Sequence, residues 1–143
     1  MALIRCSSSS GGGSGLSETV LWTNQSPTSS FAPSSATSLD TGKFSDYDYI
    51  KIIVKSDNTS SAKEFSIIWE EAEFENLKLI GTDTASGIQA GMITLVTSSS
   101  GVYRWRSFKY VSDTSVLFGH SKKSDTTSNQ DSYVIPYMIV GLK

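Results

Sequence analysis

Tyr47–Lys55 reads YDYIKIIVK, and Lys63–Glu70 reads KEFSIIWE. The first stretch is β-branched and aromatic almost throughout, the composition that suits a pleated, half-buried strand. Ile50, Ile52 and Val54 fall at alternate positions and share one face, while Tyr49, Lys51, Ile53 and Lys55 share the other. In the second stretch Phe65, Ile67 and Trp69 alternate with Ser66, Ile68 and Glu70. Between them Asp57-Asn58-Thr59-Ser60-Ser61 is turn composition. The two stretches are therefore expected to form an antiparallel hairpin.

Moving outward, Val20-Leu21-Trp22 is a short apolar strand that runs into a Ser/Pro loop from Asn24 to Ser38. Downstream, strands are expected at Phe74–Ile80, Ile88–Thr97 and Val102–Val111, the last two joined by the turn Ser98–Gly101. Ser115–Phe118 reads as a short strand ending at Gly119, followed by a polar loop from Ser121 to Asp131. Tyr133–Leu142 (YVIPYMIVGL) closes the chain as an apolar strand. Pro136 cannot donate a ladder hydrogen bond, so this strand should lie at an edge or be bulged there. An apolar edge needs a cover, and a neighbouring subunit would supply one. No stretch holds a helical period, and short strands at regular spacing with Gly/Ser turns predict an all-β fold. The expected architecture is an antiparallel β-sandwich or jelly-roll-like domain over residues 16–143. Residues 1–15 are set apart from it: a small apolar peg, Ala2-Leu3-Ile4, is followed by the flexible linker SSSSGGGSG. Leu3 and Ile4 are the candidate anchor onto a larger assembly.

The chain has 143 residues and a formal net charge of −2, and only 18% of its residues are charged. Hydroxyls take the place of charge, with 28 Ser and 13 Thr. Nucleic-acid binding is not expected of so weakly charged a chain, because gripping phosphates needs a basic surface. One Cys leaves no intramolecular disulfide framework or thiolate cluster, and one His leaves no His-rich metal site. No cofactor or metal is expected. Ala2–Ile4 is too short for the apolar core of a secretory signal, and no run approaches the ~20 apolar residues of a membrane span. Membrane insertion is not expected either.

The candidate sites are few. Tyr103-Arg104-Trp105-Arg106, followed by Phe108, Lys109 and Tyr110, interleaves aromatic and basic residues, which suits stacking on sugars or bases. On a strand Tyr103 and Trp105 face one way and Arg104, Arg106 and Phe108 the other, so one set is expected in the core. Tyr103 and Trp105, with His120 just after Gly119, are the candidate recognition residues. Trp22 and Phe31 are expected in the core. Glu71, Glu73 and Glu75 share strand parity and would form a solvated acidic stripe; in an alternative reading Glu71 or Glu73 serves glycan hydrolysis. Asp46 and Asp48 are read as turn-capping residues rather than calcium ligands. His120 has no nucleophile motif near it, and no catalytic residue is assigned.

Several segments recur in a familiar order: Val20-Leu21-Trp22-Thr23-Asn24-Gln25-Ser26-Pro27, Phe31, Asp46-Tyr47-Asp48-Tyr49-Ile50, Phe118-Gly119, Ile135-Pro136-Tyr137 and the terminal Gly141-Leu142-Lys143. Together they resemble small tail-associated structural proteins of bacteriophages and prophages of Gram-positive and gut bacteria. The resemblance covers about residues 16–143 and implies a β-rich virion module without catalytic residues, of a kind usually recorded as tail-fibre, receptor-binding or virion structural proteins; a tail-fibre or receptor-binding role is the first reading. Its partners would be other virion proteins and a host-surface glycan or protein, and it would assemble as a homotrimer. A capsid decoration (head fibre) protein held by its N-terminal peptide, and a virion-borne glycan-degrading enzyme, are the alternatives.

Overall fold

The computed structural model describes residues 15–32, 36–77, 92–97 and 101–143. Among these residues eight strands form two four-stranded sheets: β1 (Glu18–Thr23), β2 (Thr37–Ser38), β3 (Tyr49–Asp57), β4 (Glu64–Glu70), β5 (Met92–Thr97), β6 (Val102–Ser112), β7 (Ser115–Lys123) and β8 (Tyr133–Leu142). One sheet has the order β1-β8-β3-β4 and the other β2-β7-β6-β5, and every pairing is antiparallel. The all-β sandwich expected from the alternating strands is thus what the chain forms. Among the described residues no helix is long and apolar enough to cross a membrane.

The hairpin sets the geometry. Ile50, Ile52 and Val54 of β3 are fully buried and stand opposite Trp69, Ile67 and Phe65 of β4. They face Ile93, Phe108, Tyr110, Val116 and Phe118 of the second sheet in one apolar cluster, and Trp22 and Phe31 pack against its margin as expected. Each fully buried aliphatic or aromatic side chain contributes roughly 1.5–3 kcal/mol relative to exposure.

Two strand expectations need correction. Residues 74–76, the start of the region read as the strand Phe74–Ile80, belong instead to a short helix, α1 (Glu71–Asn76); residues 78–80 lie outside the described residues. Glu and Ala favour helix, and Glu71 and Glu73 sit in the first turn, where the helix dipole favours carboxylates. Phe74 and Leu77, three residues apart, turn the same face of that turn into the core, and both are buried. One turn has little stability of its own, so this packing holds it. The acidic stripe expected from strand parity is replaced by helical spacing, which brings Glu71 and Glu75 to one face.

The second correction concerns β8. It is an interior strand, paired with β1 on one side and β3 on the other, so the edge alternative fails and the bulge alternative holds. Met138 pairs with Ile53 and Pro136 with Val54, which leaves Tyr137 as the extra residue. The side-chain amide of Asn24 donates to the Pro136 carbonyl at 2.9 Å, and the Asn24 N–H donates to the Tyr137 carbonyl, also at 2.9 Å. The bulge is therefore sealed within the chain, and β8 needs no neighbouring subunit as a cover.

Gly141, in the middle of this sheet, is required by close approach. A Cβ there would lie 2.6 Å from Cδ1 and Cδ2 of Tyr47 and closer still to Cγ, so the ring rests flat on the glycine. Gly141→Ala is expected to destabilise the fold by about 1–3 kcal/mol through overpacking. Tyr47→Ala should make the second substitution nearly neutral, a coupling that chemical denaturation of the single and double variants reads out.

Candidate functional site

β6 carries the candidate residues, and its parity is as the sequence suggested. Arg106 and Phe108 point inward and are buried, whereas Tyr103 is 41% exposed on the outer face of the sheet. Trp105, half-buried, lies beside it with ring centroids 5.3 Å apart and planes tilted by 38°. Thr94 of β5 and Lys122 of β7 stand directly opposite Trp105 on either side, so the three form one row across the sheet on the same face. The Lys122 ammonium donates to Oδ1 of Asn129 at 2.5 Å. Ser124 pins the end of the row by exchanging hydrogen bonds with the Tyr103 backbone, at 3.1 Å and 2.9 Å.

The position of Lys122 depends on an irregularity. The strand expected to end at Gly119 runs on to Lys123, and Ser121–Lys123, assigned to the polar loop, belong to β7. Phe108 pairs with Phe118 and Arg106 with Ser121: two residues on β6 span three on β7. This bulge at Gly119–His120 shifts the parity, turning Ser121 inward and Lys122 outward.

Arg106 explains why the bulge is there. Its guanidinium, fully buried, donates from Nη1 to the Gly119 carbonyl at 2.5 Å, from Nε to Val134 at 2.7 Å and from Nη2 to Tyr133 at 3.2 Å. One side chain of the second sheet thus ties down the bulge of its own sheet and the first residues of β8 in the other. Val134 has φ +48°, a left-handed conformation that is strained for a β-branched residue, and its carbonyl is one of those Arg106 holds. Burial pushes the guanidinium down to about 10 while Asp131, 3.6 Å away, pulls the other way, so it remains a cation at neutral pH. The ring of Phe31 lies 5.3 Å from the guanidinium.

His120 joins this network. Its Nδ1 is 2.6 Å from Oδ2 of Asp131, whose Oδ1 accepts the Ser121 N–H at 3.0 Å. The side chain is 31% exposed, and with Nδ1 engaged Nε2 is the group it can offer outward. A His–Asp pair supplies two members of a Ser-His-Asp triad, but here the carboxylate is shared with a structural arginine and a strand N–H. The structure thus brings Tyr103 and Trp105 together and ties His120 to Asp131. Neither Asp131 nor Lys122 was legible as a partner, because both depend on the bulge and on a long loop.

No family model matches the chain, and no curated protein or solved structure is significantly similar to it.

Other sequence candidates resolve as follows. Asp46 accepts the Lys43 N–H at 3.1 Å, the turn-capping role expected of it. Among the described residues no group of three His, Cys, Asp or Glu side chains is placed to hold a metal. Leu3 and Ile4 lie outside the described residues. One concavity went unnoticed in the sequence: a shallow depression of about 720 Å³ lined by Tyr47, Asp48, Tyr49, Glu70 and Glu71, where β3 begins and β4 ends. Arg104, too, has a partner that spacing alone does not reveal, its guanidinium lying 3.8 Å from the centre of the Tyr133 ring.

Proposed function

We propose that this chain is a non-enzymatic structural module of a bacteriophage virion, a tail-fibre or receptor-binding protein that holds a host-surface glycan or protein on the outer face of β5–β6–β7. The observation that carries the reading is the Tyr103–Trp105 pair. Two adjacent large rings stand on a sheet face with one of them 41% exposed, although the core beneath takes up five other aromatics, Phe44, Phe74, Phe108, Tyr110 and Phe118. Rigid aromatic side chains give contact area at small entropic cost, which is why such residues dominate recognition surfaces. The resemblance to phage tail-associated proteins points to the same role. His120, fixed by Asp131 at the bulge of the neighbouring strand, is the third recognition residue of the proposal. The module comprises residues 16–143, with residues 1–15 as linker and peg and Leu3 and Ile4 as the contact with other virion proteins. It assembles as a homotrimer through the edge strands β1 and β4, where Val20 and Phe65 are 48% and 46% exposed.

The test is adhesion of the labelled protein to host cells. Tyr103→Ala with Trp105→Ala should lower binding at least about tenfold, the scale of losing central aromatic anchors, while the far-ultraviolet circular dichroism stays that of the parent. Unchanged adhesion would remove this face from the account.

A further inference from the structure

We infer that the outer face of β5–β6–β7 takes an anionic saccharide chain, one whose repeat carries a carboxylate or a phosphate. This rests on the recognition role proposed above and adds the ligand's chemistry. The argument starts from register. Thr94, Trp105 and Lys122 share a row, placing a hydroxyl, an indole and an ammonium side by side across three strands. Tyr103 extends the aromatic surface in one direction along β6. Lys109, opposite Leu117, lies on the same face in the other direction.

The outward positions of β6 and β7 therefore carry two lysines and no carboxylate, although the chain as a whole is at −2. The acidic lining of Asp48, Glu70 and Glu71 belongs to the other sheet, where β3 begins and β4 ends. The aromatic face is thus cationic without balancing carboxylates, whereas Lys51 and Lys55 on the other sheet stand beside Glu18 and Glu64. Each component has a use on a sugar chain. Aromatic rings offer apolar surface to the C–H faces of a pyranose, and Thr94 meets its hydroxyls. Lys122 keeps two N–H donors after its bond to Asn129, which holds the ammonium in place for an anion.

A nucleic-acid strand fits this face less well. The two lysines flank Trp105 with about 13 Å of strand between the rows of Lys122 and Lys109, whereas a nucleic acid presents a phosphate at every nucleotide and needs a continuous basic track.

The experiment uses the full chain and four probes: hyaluronan for carboxylate, poly(glycerol phosphate) teichoic acid for phosphate, dextran as a neutral glycan, and oligothymidylate. At least one anionic glycan should bind about tenfold tighter than dextran and weaken as salt rises. Lys109→Gln with Lys122→Gln should lower that affinity about fivefold, and Tyr103→Ala, at an exposed position that leaves the fold intact, should lower it as well. Which of the two anionic probes binds tells carboxylate from phosphate. Equal binding of dextran through Tyr103 would overturn the charge requirement and leave the recognition role standing. Preference for oligothymidylate would overturn the inference in favour of nucleic acid. If no saccharide binds while host-cell adhesion still depends on Tyr103 and Trp105, the ligand is a protein and the inference fails alone. If adhesion fails too, the recognition role falls with it.

Discussion

Replacing Arg106 with methionine is expected to destabilise the protein by about 3–5 kcal/mol, a large part of the 5–15 kcal/mol that holds a typical domain together. Methionine keeps most of the volume and removes the donors. Three carbonyls, those of Gly119, Tyr133 and Val134, then lose a charged donor inside the protein, where an unmet acceptor costs ~1–3 kcal/mol. Asp131 loses its nearby cation at the same time, though it keeps the Ser121 N–H and His120. The strained backbone at Val134 also loses a group that holds it in place. Asp131→Asn should cost less, because the three carbonyl bonds to Arg106 survive it. Urea denaturation of both variants checks the order. A methionine variant as stable as the parent would show that the guanidinium is not what joins the two sheets.

The other large effect is expected at Phe74. Truncation to alanine should cost about 3–5 kcal/mol, the usual range for a buried phenylalanine. Its ring lies 4.8 Å from that of Phe44, 5.6 Å from Phe108 and 6.0 Å from Tyr110, so the cavity would open at the centre of an aromatic cluster. The same substitution removes the main apolar contact of a six-residue helix that cannot stand alone. Loss of stability with a lowered denaturation midpoint is the expected readout. A change below 1 kcal/mol would place Phe74 at the margin rather than in the core.

These two sites mark where the sequence was hard to read. The alternation of Ile50, Ile52 and Val54 is visible because β4 pairs regularly with β3 over those residues and the extra residue of the β3–β8 pairing lies on β8, so one buried face imposes one period on β3. α1 was not visible. It buries Phe74 and Leu77 within one turn, too short a pattern to show a helical period against a background of strands. The bulge at Gly119–His120 has no local signal, since what stabilises it is a guanidinium 13 residues earlier in the chain. Pro136 announced an irregularity in β8 but not its neighbours: the seal comes from Asn24, 112 residues away. At the site, the shared face of Tyr103 and Trp105 follows from parity alone. The row with Thr94 and Lys122 follows only from the register, and the bulge on β7 is what brings Lys122 into it.

The proposed virion role is tested most directly by looking for the chain on phage particles isolated or induced from the strain that encodes it. Antibody raised against residues 16–143 should label the outside of purified virions and block their adsorption to host cells, with loss of adsorption again on Tyr103→Ala and Trp105→Ala. Purified virions that lack the chain, or that adsorb normally when its outer face is covered, would contradict it.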